Sequence, residues 1–258
     1  MLLHITNGDC AGEMLKQLWP AHTVLPWRDA LHDGPLLPSL EELSPLRAAF
    51  LAGLGWLTAE AMRESFQRRD AVLARYGEFE ETVLWFEHDL YDQLQLLQLL
   101  HWFSTRPARL TLVQAATYLG PLQPEELAGF FPLRKAVSAA QLELGSHAWL
   151  AVCSEDPRAL EPFLEPQAEL PFLVAALLRY CEDYPWLEDG LTRTERTIAA
   201  LRAQGLSGRG ELFRAFSEQE APLWMGDDTF FLHLEGRLRR ETPWRWDATR
   251  RRFVLRPA

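Results

Sequence analysis

Histidine and carboxylate side chains recur in three short loops, each directly after an apolar run typical of a β-strand. Imidazole and carboxylate groups suit general acid–base chemistry near neutral pH. They also suit a divalent metal, since carboxylates favour Mg²⁺ or Mn²⁺ and imidazole adds Zn²⁺ or Fe²⁺. Such a metal would offset the acidic charge and receive a phosphate, which predicts hydrolysis of a phosphoester or nucleotide-like substrate. The residues concerned are Asn7, Gly8, Asp9, Arg28, His32, Asp33, Glu87, His88 and Asp89.

These residues fall into two predicted groups. The predicted catalytic residues are Asp9, His32, Asp33, His88 and Asp89. The predicted ligands of a small anionic molecule are Asn7, Gly8, Arg28 and Glu87, with the Arg28 guanidinium as the partner of the anion. Successive residues at a strand end point in different directions, so at most two of residues 87–89 can share one site. The sequence identifies no cofactor, although a divalent metal would suit these side chains.

A purely structural role is the alternative for the same residues. Asp89 is a good N-cap for a helix that begins at Leu90, and Asp92 in its first turn complements the helix dipole. His88 could form a hydrogen bond across a loop, and Arg28 could pair with Glu87 or Asp29. Capping does not explain the loop that contains His32 and Asp33.

The elements that must position these loops form an α/β pattern. Strands are predicted at residues 2–5, 23–25, 82–86 and 109–113, separated by helices at 11–18, 40–54, 58–76 and from 90 to about 103. This alternation predicts a mainly parallel, Rossmann-like sheet flanked by helices, whose strand carboxyl ends gather ligands. His4 lies inside the first strand and is expected to be a satisfied core residue. The glycine spacing matches neither nucleotide-binding fingerprint.

The rest of the first 190 residues is predicted to be helical. Helices are expected at residues 124–130, 133–144, 147–153, 157–163 and 170–184, with no further strand. Ser44-Pro45 suits the start of a helix rather than its middle, because proline lacks the N–H that an interior position needs. We therefore predict an α/β domain over residues 1–120 and a helical extension packed on it over residues 121–190.

The last 68 residues predict a winged-helix-like domain over residues 191–258. Helices are expected from 192 to about 204, at 208–216 and from Asp227 or Asp228 to Arg240, followed by a hairpin of strands 244–247 and 252–255. A DNA-binding version needs basic or amide side chains early in its third helix, and this one opens with two aspartates. The domain is therefore expected to dock a protein partner, although the arginines at 250–252 favour nucleic acid.

Bulk composition narrows the class of protein. The 258-residue chain has a net charge of −10, with 48% hydrophobic and 24% charged residues. Residues 1–190 hold 13 basic and 27 acidic residues, a net −14, whereas residues 191–258 hold 13 and 9, a net +4. The acidic part would repel nucleic-acid phosphates, which argues against nucleic-acid binding. No run of residues suits a membrane span or signal peptide, and three scattered cysteines fit a reducing cytoplasm.

Three segments resemble a bacterial family known only as domain of unknown function 1835. They are LHITNGD at residues 3–9, WRDALHDGP at 27–35 and WFEHDLYDQ at 85–93. The segment from residues 191–192 to residues 225–227 resembles a small domain that often accompanies this family. The resemblance implies an α/β domain with a helical extension and a winged-helix-like tail, and it implies no activity. A non-catalytic ligand sensor or regulator, whose tail binds a protein or nucleic acid, is the alternative to an enzyme.

Overall fold

The computed structural model describes residues 1–256 and divides the chain into two compact units. The N-terminal unit comprises residues 1–153, and the C-terminal unit begins at residue 154. The division predicted from the sequence, into residues 1–120, 121–190 and 191–258, has its boundaries elsewhere and stays a prediction. The last two residues of that predicted third domain, 257 and 258, lie outside the described residues.

A five-stranded sheet forms the centre of the N-terminal unit. Its strands are β1 (Leu2–Thr6), β2 (Thr23–Pro26), β3 (Glu81–Phe86), β4 (Leu110–Gln114) and β5 (Lys135–Ala136), in the order β2-β1-β3-β4-β5. The first four are parallel, and β5 runs antiparallel to β4. The predicted α/β class with a mainly parallel sheet is confirmed. The prediction of no strand after β4 is wrong, because two exposed residues form β5 through backbone pairing without an apolar pattern.

The connections of this sheet create a crevice between β1 and β3. From β1 the chain passes through helix α1 (Asp9–Leu18) to β2 on one side. From β2 it passes through α2 (Leu40–Leu54) and α3 (Ala59–Ala74) to β3 on the other side. In doubly wound sheets of this order, ligands bind where the strand order reverses, outside the strand carboxyl ends.

Helices flank the sheet. The remaining α-helices of this unit are α4 (Leu90–Phe103), α5 (Pro124–Phe130) and α6 (Ala139–Val152), with short 3-10 helices at Tyr76–Glu78 and Phe131–Leu133. Residues of α1 and α5 pack against Val83, Trp85 and Val113 on one face of the sheet. The alternate residues Leu3, Ile5 and Leu84 of the other face are also buried. Within residues 1–256, none of the helices combines the length and the apolar character that crossing a membrane requires.

Capping residues determine where several helices begin. The hydroxyl groups of Ser39, Thr58 and Ser138 accept hydrogen bonds from the third residue of α2, α3 and α6 respectively. The expectation that Pro45 stands at the start of a helix is wrong. Helix α2 begins after its cap at Ser39, so Pro45 lies inside the helix, in its second turn. The prediction of two separate helices at 133–144 and 147–153 is wrong. One continuous helix, α6, begins after the cap at Ser138 and covers most of both ranges.

Helix α6 lies unusually close to α4, and Gly145 makes this approach possible. A Cβ atom added at Gly145 would lie 2.6 Å from the Cβ and Cδ1 atoms of Leu100. Real Cβ atoms do not approach other atoms so closely, so any larger residue must push the two helices apart. The packing of α6 therefore fixes the position of α4, the helix that follows β3.

The C-terminal unit contains a 3-10 helix at Pro157–Phe163, four α-helices and a hairpin. The α-helices are α7 (Leu173–Glu182), α8 (Arg193–Ala203), α9 (Arg209–Gln219) and α10 (Asp227–Leu234), and the strands are β6 (Trp244–Asp247) and β7 (Arg252–Leu255). The predicted hairpin is confirmed, with Trp246 opposite Phe253. The comparison with a winged helix stays a prediction.

One predicted helix in this unit has the wrong bounds, and another has the predicted bounds but is a 3-10 helix. The predicted helix from Asp227 or Asp228 to Arg240 is capped by Gly226 and ends at Leu234, where Gly236 adopts a positive φ of 71°. Residues 157–163 form a 3-10 helix, and Pro157 and Pro162 within it cannot donate backbone hydrogen bonds.

A buried arginine connects the helices of this unit. Arg179 of α7 donates to both carboxylate oxygens of Glu220, at 2.9 and 3.1 Å, and to the hydroxyl of Thr194 at 2.9 Å. Its Nη1 atom lies 3.0 Å from the carboxylate of Asp183. Two carboxylates thus compensate one buried guanidinium, which ties α7 to α8 and to the end of α9.

We expect Gly145→Ala to destabilise the protein by about 1–3 kcal/mol, because overpacking outweighs the gain in helix propensity. Urea denaturation measures the free energy of unfolding. The matched control is Gly129→Ala in α5, where an added Cβ meets nothing within 4 Å. That change should be neutral or stabilise by up to ~1 kcal/mol. Equal effects at the two positions would contradict the close approach of α4 and α6.

Candidate functional site

The candidate site is built where β3 turns into α4. Asp89 is the N-cap of α4, and its Oδ1 atom accepts a hydrogen bond from the backbone N–H of Asp92 at 3.1 Å. The predicted capping role of Asp89 is therefore confirmed. Asp92 is the third residue of α4, and its Oδ1 atom accepts from the backbone N–H of Glu87 at 2.7 Å. Asp92 thus holds the turn at both ends, through its backbone N–H on Asp89 and its side chain on the backbone of Glu87.

Asp92 also connects the turn to the loop after β1. The side-chain amide of Asn7 donates to Oδ2 of Asp92 at 2.6 Å, so this carboxylate spans the β1–β3 crevice. The Asp92 side chain is fully buried. The loop after β4 contributes as well, because the backbone N–H of Leu119 donates to Oε1 of Glu87 at 2.8 Å. Loops from three adjacent strands therefore meet at this point.

Three buried carboxyl groups converge here, which we call the acidic cluster: Glu87, Asp89 and Asp92. One oxygen of each lies within 4.8 Å of the other two, and each residue is at most 4% exposed. Gln93 borders Glu87, because its side-chain Nε2 donates to the Glu87 backbone carbonyl at 2.6 Å. Its Oε1 atom is buried and accepts no hydrogen bond from residues 1–256. Buried amide oxygens are rarely left without a partner.

The environment opposes ionisation of the acidic cluster. Burial, together with the nearby charge of Asp89, raises the pKa of Glu87 to about 7, against opposing hydrogen bonds from Leu119 and Asn7. Burial raises the pKa of Asp89 to about 6. Burial and the charges of Asp89 and Glu87 raise the pKa of Asp92 well above its usual value. The cluster therefore needs either protons or a cation to offset its charge near neutral pH.

The donor set fits a hard divalent cation. Carboxylate oxygens are the ligands that Mg²⁺ and Mn²⁺ prefer, and an amide oxygen such as Gln93 Oε1 is a compatible additional ligand. The hydrogen bonds that the three carboxyl groups accept fix their orientation and leave further lone pairs for a metal. Within residues 1–256, the group that could hold a metal consists of these three carboxylates and includes no histidine.

Asp9 and Arg28, both predicted as site residues, form an ion pair with each other. The Arg28 Nε atom lies 2.8 and 2.9 Å from the two carboxylate oxygens of Asp9, and both side chains are about half exposed. The alternative pairing of Arg28 with Glu87 or Asp29 is wrong, because Asp29 binds the buried Arg47 at 2.9 Å. Gly8 is the N-cap residue of α1.

The two predicted catalytic histidines lie in the loops after β2 and β3. His32 is buried, with its Nε2 atom 3.4 Å from the carboxylate of Asp33 and its ring 5.9 Å from that of Tyr91. The ring of His88 lies 5.1 Å from that of Tyr118. Burial lowers the pKa of His88, against an opposing hydrogen bond that its ring donates to the Ala115 backbone carbonyl. Of the predicted residues, the structure brings together Glu87 and Asp89, with Asn7 bound to Asp92.

Asp92 and Gln93 belong to this site, and neither was predicted as a site residue. Sequence reasoning assigned Asp92 to the helix dipole. The available signal was the spacing from Asp89 to Asp92, which places the second carboxylate at the third helical position, where side chains turn back towards the N-cap. Its contact with Asn7 depends on the pairing of β1 with β3, which is not a local property.

His4 is a satisfied core residue, as predicted. Trp85 donates from Nε1 to Nδ1 of His4 at 3.0 Å, and an indole N–H can only donate. The proton of neutral His4 is therefore on Nε2, which lies 2.8 Å from Nδ1 of His22. Burial and the neighbouring His22 lower the pKa of His4 to about 4. His4 thus stays neutral at physiological pH.

Comparison with known proteins does not assign a family. A scan against protein-family models finds no match to this chain, and a search of curated proteins also finds none. The resemblance to domain of unknown function 1835 stays a prediction.

The raised pKa values predict a specific dependence of stability on pH. A carboxyl group whose folded pKa exceeds its unfolded value stabilises the fold below the unfolded pKa, and this contribution is lost as pH rises through the folded pKa. For Glu87 the loss spans from about 4.5 to about 7. We expect Glu87→Gln to be more stable than the parent protein at pH 8 by about 1–3 kcal/mol, with less difference at pH 5.

Urea denaturation at pH 5, 6, 7 and 8, in the presence of EDTA, measures this difference. Glu143→Gln on the exposed surface of α6 is the matched control and should follow the parent protein at every pH. A gap between Glu87→Gln and the parent that stays constant or shrinks as pH rises would contradict the raised pKa.

Proposed function

We propose that the N-terminal unit is a metal-dependent phosphoester hydrolase whose divalent cation binds the acidic cluster. One observation supports this proposal above the others: three buried carboxyl groups lie within 4.8 Å of one another at the carboxyl end of β3. That end borders the crevice where the strand order reverses. The proposed substrates are phosphoesters, including nucleotide-like ones.

Electrostatics supports a cation at this position. Ionised carboxylates in a buried site repel one another, and removing each from water costs several kcal/mol. Protons neutralise these groups at low pH, and burial, with the charge of Asp89 as a further cause for Glu87, raises the pKa values of Glu87 and Asp89. A divalent cation would relieve the repulsion at neutral pH. We therefore expect cation binding to release protons and to weaken steeply below about pH 6.

The proposed chemistry follows from general properties of metal sites. A bound cation polarises a phosphoryl oxygen and lowers the pKa of a bound water. We propose that His88, directly beside the cluster in sequence, would accept a proton from the attacking water and return it to the oxygen of the leaving alcohol. We also propose that Asp33 orients His32 through their 3.4 Å contact. Asn7 orients Asp92 through its 2.6 Å hydrogen bond. We place this activity in the cytoplasm, as the sequence predicts, because Cys10, Cys153 and Cys181 are free thiols.

Calorimetric titration of the metal-stripped protein with Mg²⁺ and Mn²⁺ at pH 7.5 tests the proposal. We expect Asp89→Asn and Glu87→Gln each to weaken binding at least about tenfold, or ~1.4 kcal/mol, because each removes a charged ligand. Asparagine caps helices as well as aspartate does, so Asp89→Asn should preserve α4. Asp9→Asn, in the same edge of the sheet but paired with Arg28, is the matched control and should bind normally.

Hydrolysis of p-nitrophenyl phosphate and of its bis-ester by the same variants measures the activity. Turnover that needs the metal and is lost in Asp89→Asn would support the hydrolase. Failure of the folded parent protein to bind Mg²⁺, Mn²⁺ or Zn²⁺ at millimolar concentration would refute it.

A non-catalytic, partner-binding role of the C-terminal unit is a second candidate. The turn between β6 and β7 exposes Arg250, Arg251 and Arg252. The carboxylate of Asp247 shapes this turn by accepting from the backbone N–H and the guanidinium of Arg250, each at 3.0 Å. Helix α10 begins with two exposed aspartates, which would repel DNA in a groove. We propose that the turn binds an acidic protein segment.

Fluorescence anisotropy with a labelled polyglutamate peptide, at low and high salt, tests this role. We expect Arg251→Glu to weaken binding at least about fivefold, because reversing one charge repels the peptide. Arg202→Glu, an equally exposed position at the end of α8, should have little effect. Tighter binding to a 20-base-pair DNA duplex than to the peptide would contradict the acidic-protein assignment.

A further inference from the structure

A cavity lies at the carboxyl end of β2, against helix α3. Its volume is about 150 Å³, well above the roughly 10–15 Å³ that one water molecule needs on the same measure. Three arginines line it, together with one hydroxyl and several apolar side chains. The residues that matter for its chemistry are Arg28, Ser65, Arg68 and Arg69, with Leu25 and Phe66 among the apolar ones. We call it the arginine cavity.

Helical spacing brings the α3 side chains to the arginine cavity. Ser65, Arg68, Arg69 and Val72 follow one another at intervals of three, one and three residues, which places them on one face of α3. Arg28 comes from the opposite side, two residues after the end of β2. The sheet and the helix thus each contribute cationic groups to the same cavity.

Arg69 is a fixed cation in the wall of the arginine cavity. It is 5% exposed, and its guanidinium lies over the rings of Trp27 and Phe66, 4.1 and 4.3 Å from their centres. Its Nη2 atom donates to the hydroxyl of Ser44 at 2.9 Å, and its Nε atom donates to Asp70 at 2.8 Å. Because the side chain is already ordered, an anion near it would not have to restrict its motion.

The acidic side chains around the arginine cavity do not fully neutralise its arginines. Asp29 lies 3.8 Å from Arg69 but already binds the buried Arg47. Arg68 pairs with Glu64 at 3.2 Å, and this pair is more than half exposed. Exposed pairs of this kind contribute at most about 1 kcal/mol, so a bound anion could compete with them.

Several N–H groups also remain available. The hydrogen bonds of Arg28 to Asp9 use its Nε and Nη2 atoms, and the bond of Arg68 to Glu64 uses Nη1. Among residues 1–256, no acceptor is bound to Nη1 of Arg28 or to Nη2 of Arg68 at hydrogen-bond distance. Guanidinium groups with unused N–H donors match the geometry of phosphoryl oxygens.

We propose that the arginine cavity is a binding subsite for the phosphoryl group of an organic phosphate ester. The apolar side chains of Leu25 and Phe66 beside the arginines favour an ester over the free anion, because its organic part would contact them. The subsite lies on the same edge of the sheet as the acidic cluster, since β2 pairs with β1 and β1 pairs with β3. Two strand spacings, or roughly 10 Å, separate the ends of β2 and β3 from which the two sites are built. The subsite does not depend on metal binding by the cluster.

Binding of phenyl phosphate and of inorganic phosphate to the full-length protein in EDTA tests the proposal, by calorimetry and by phosphorus NMR. We expect phenyl phosphate to bind more tightly than inorganic phosphate. Arg68→Gln should weaken this binding at least fivefold. Ser65→Asp, which places a carboxylate in the cavity, should abolish it. Arg63→Gln, exposed on the same helix but outside the cavity, is the matched control and should bind as the parent does.

Thermal unfolding of each variant verifies that α3 stays folded, and Arg28→Gln provides a second cavity variant on a different element. Inorganic phosphate binding as tightly as phenyl phosphate would overturn the assignment to an ester. Binding unchanged in both Arg68→Gln and Arg28→Gln, or absent in the parent, would overturn the subsite itself. Because EDTA removes divalent metal, neither result bears on the cation proposed for the acidic cluster.

Discussion

The carboxylate of Asp92 is the interaction on which the candidate site depends. The carboxylate is fully buried and accepts hydrogen bonds from the backbone N–H of Glu87 and from the side-chain amide of Asn7. The backbone N–H of Asp92 donates to the side chain of Asp89. The loop after β1, the end of β3 and the first turn of α4 are therefore joined through one side chain. Removing it would leave the half-buried Asn7 amide without this partner and the buried N–H of Glu87 unsatisfied, the latter at a cost of about 1–3 kcal/mol.

Two buried charge clusters of the protein are arranged in opposite ways. In the C-terminal unit, Glu220 and Asp183 surround the Arg179 guanidinium, so the buried charges compensate one another. In the acidic cluster, carboxyl groups converge without a counter-charge, and burial together with the charge of Asp89 raises the pKa of Glu87 to about 7. A compensated cluster strengthens a fold, whereas an uncompensated one is a common property of functional sites. This contrast is why the acidic cluster, rather than Arg179, is assigned a function.

The sequence predicted the α/β class, the four parallel strands and most helices of the N-terminal unit, because these rest on local patterns. Apolar runs identified β1 and β3, and the Thr192 capping box identified α8. Strand β5 was not predicted, because its two exposed residues are defined as a strand only by their backbone pairing with β4. The role of Asp92 in the site was not predicted, because its partner Asn7 lies 85 residues away and is brought close only by the pairing of β1 with β3.

Helix α4 has almost no exposed residues that could be substituted without affecting its packing. Twelve of its fourteen residues are buried, between the sheet that precedes it and α6 behind it. Selection or engineering that altered this helix would therefore disturb the fold before it altered recognition. New specificity would have to come from exposed positions of the loops after β1, β2 and β4, because buried residues of the β2 loop bind the helix, Trp27 through Gln98 and Asp29 through Gln95. The protein thus separates a helix that must remain constant from a few exposed positions at the strand ends, such as Asp9 and Arg28, that can vary.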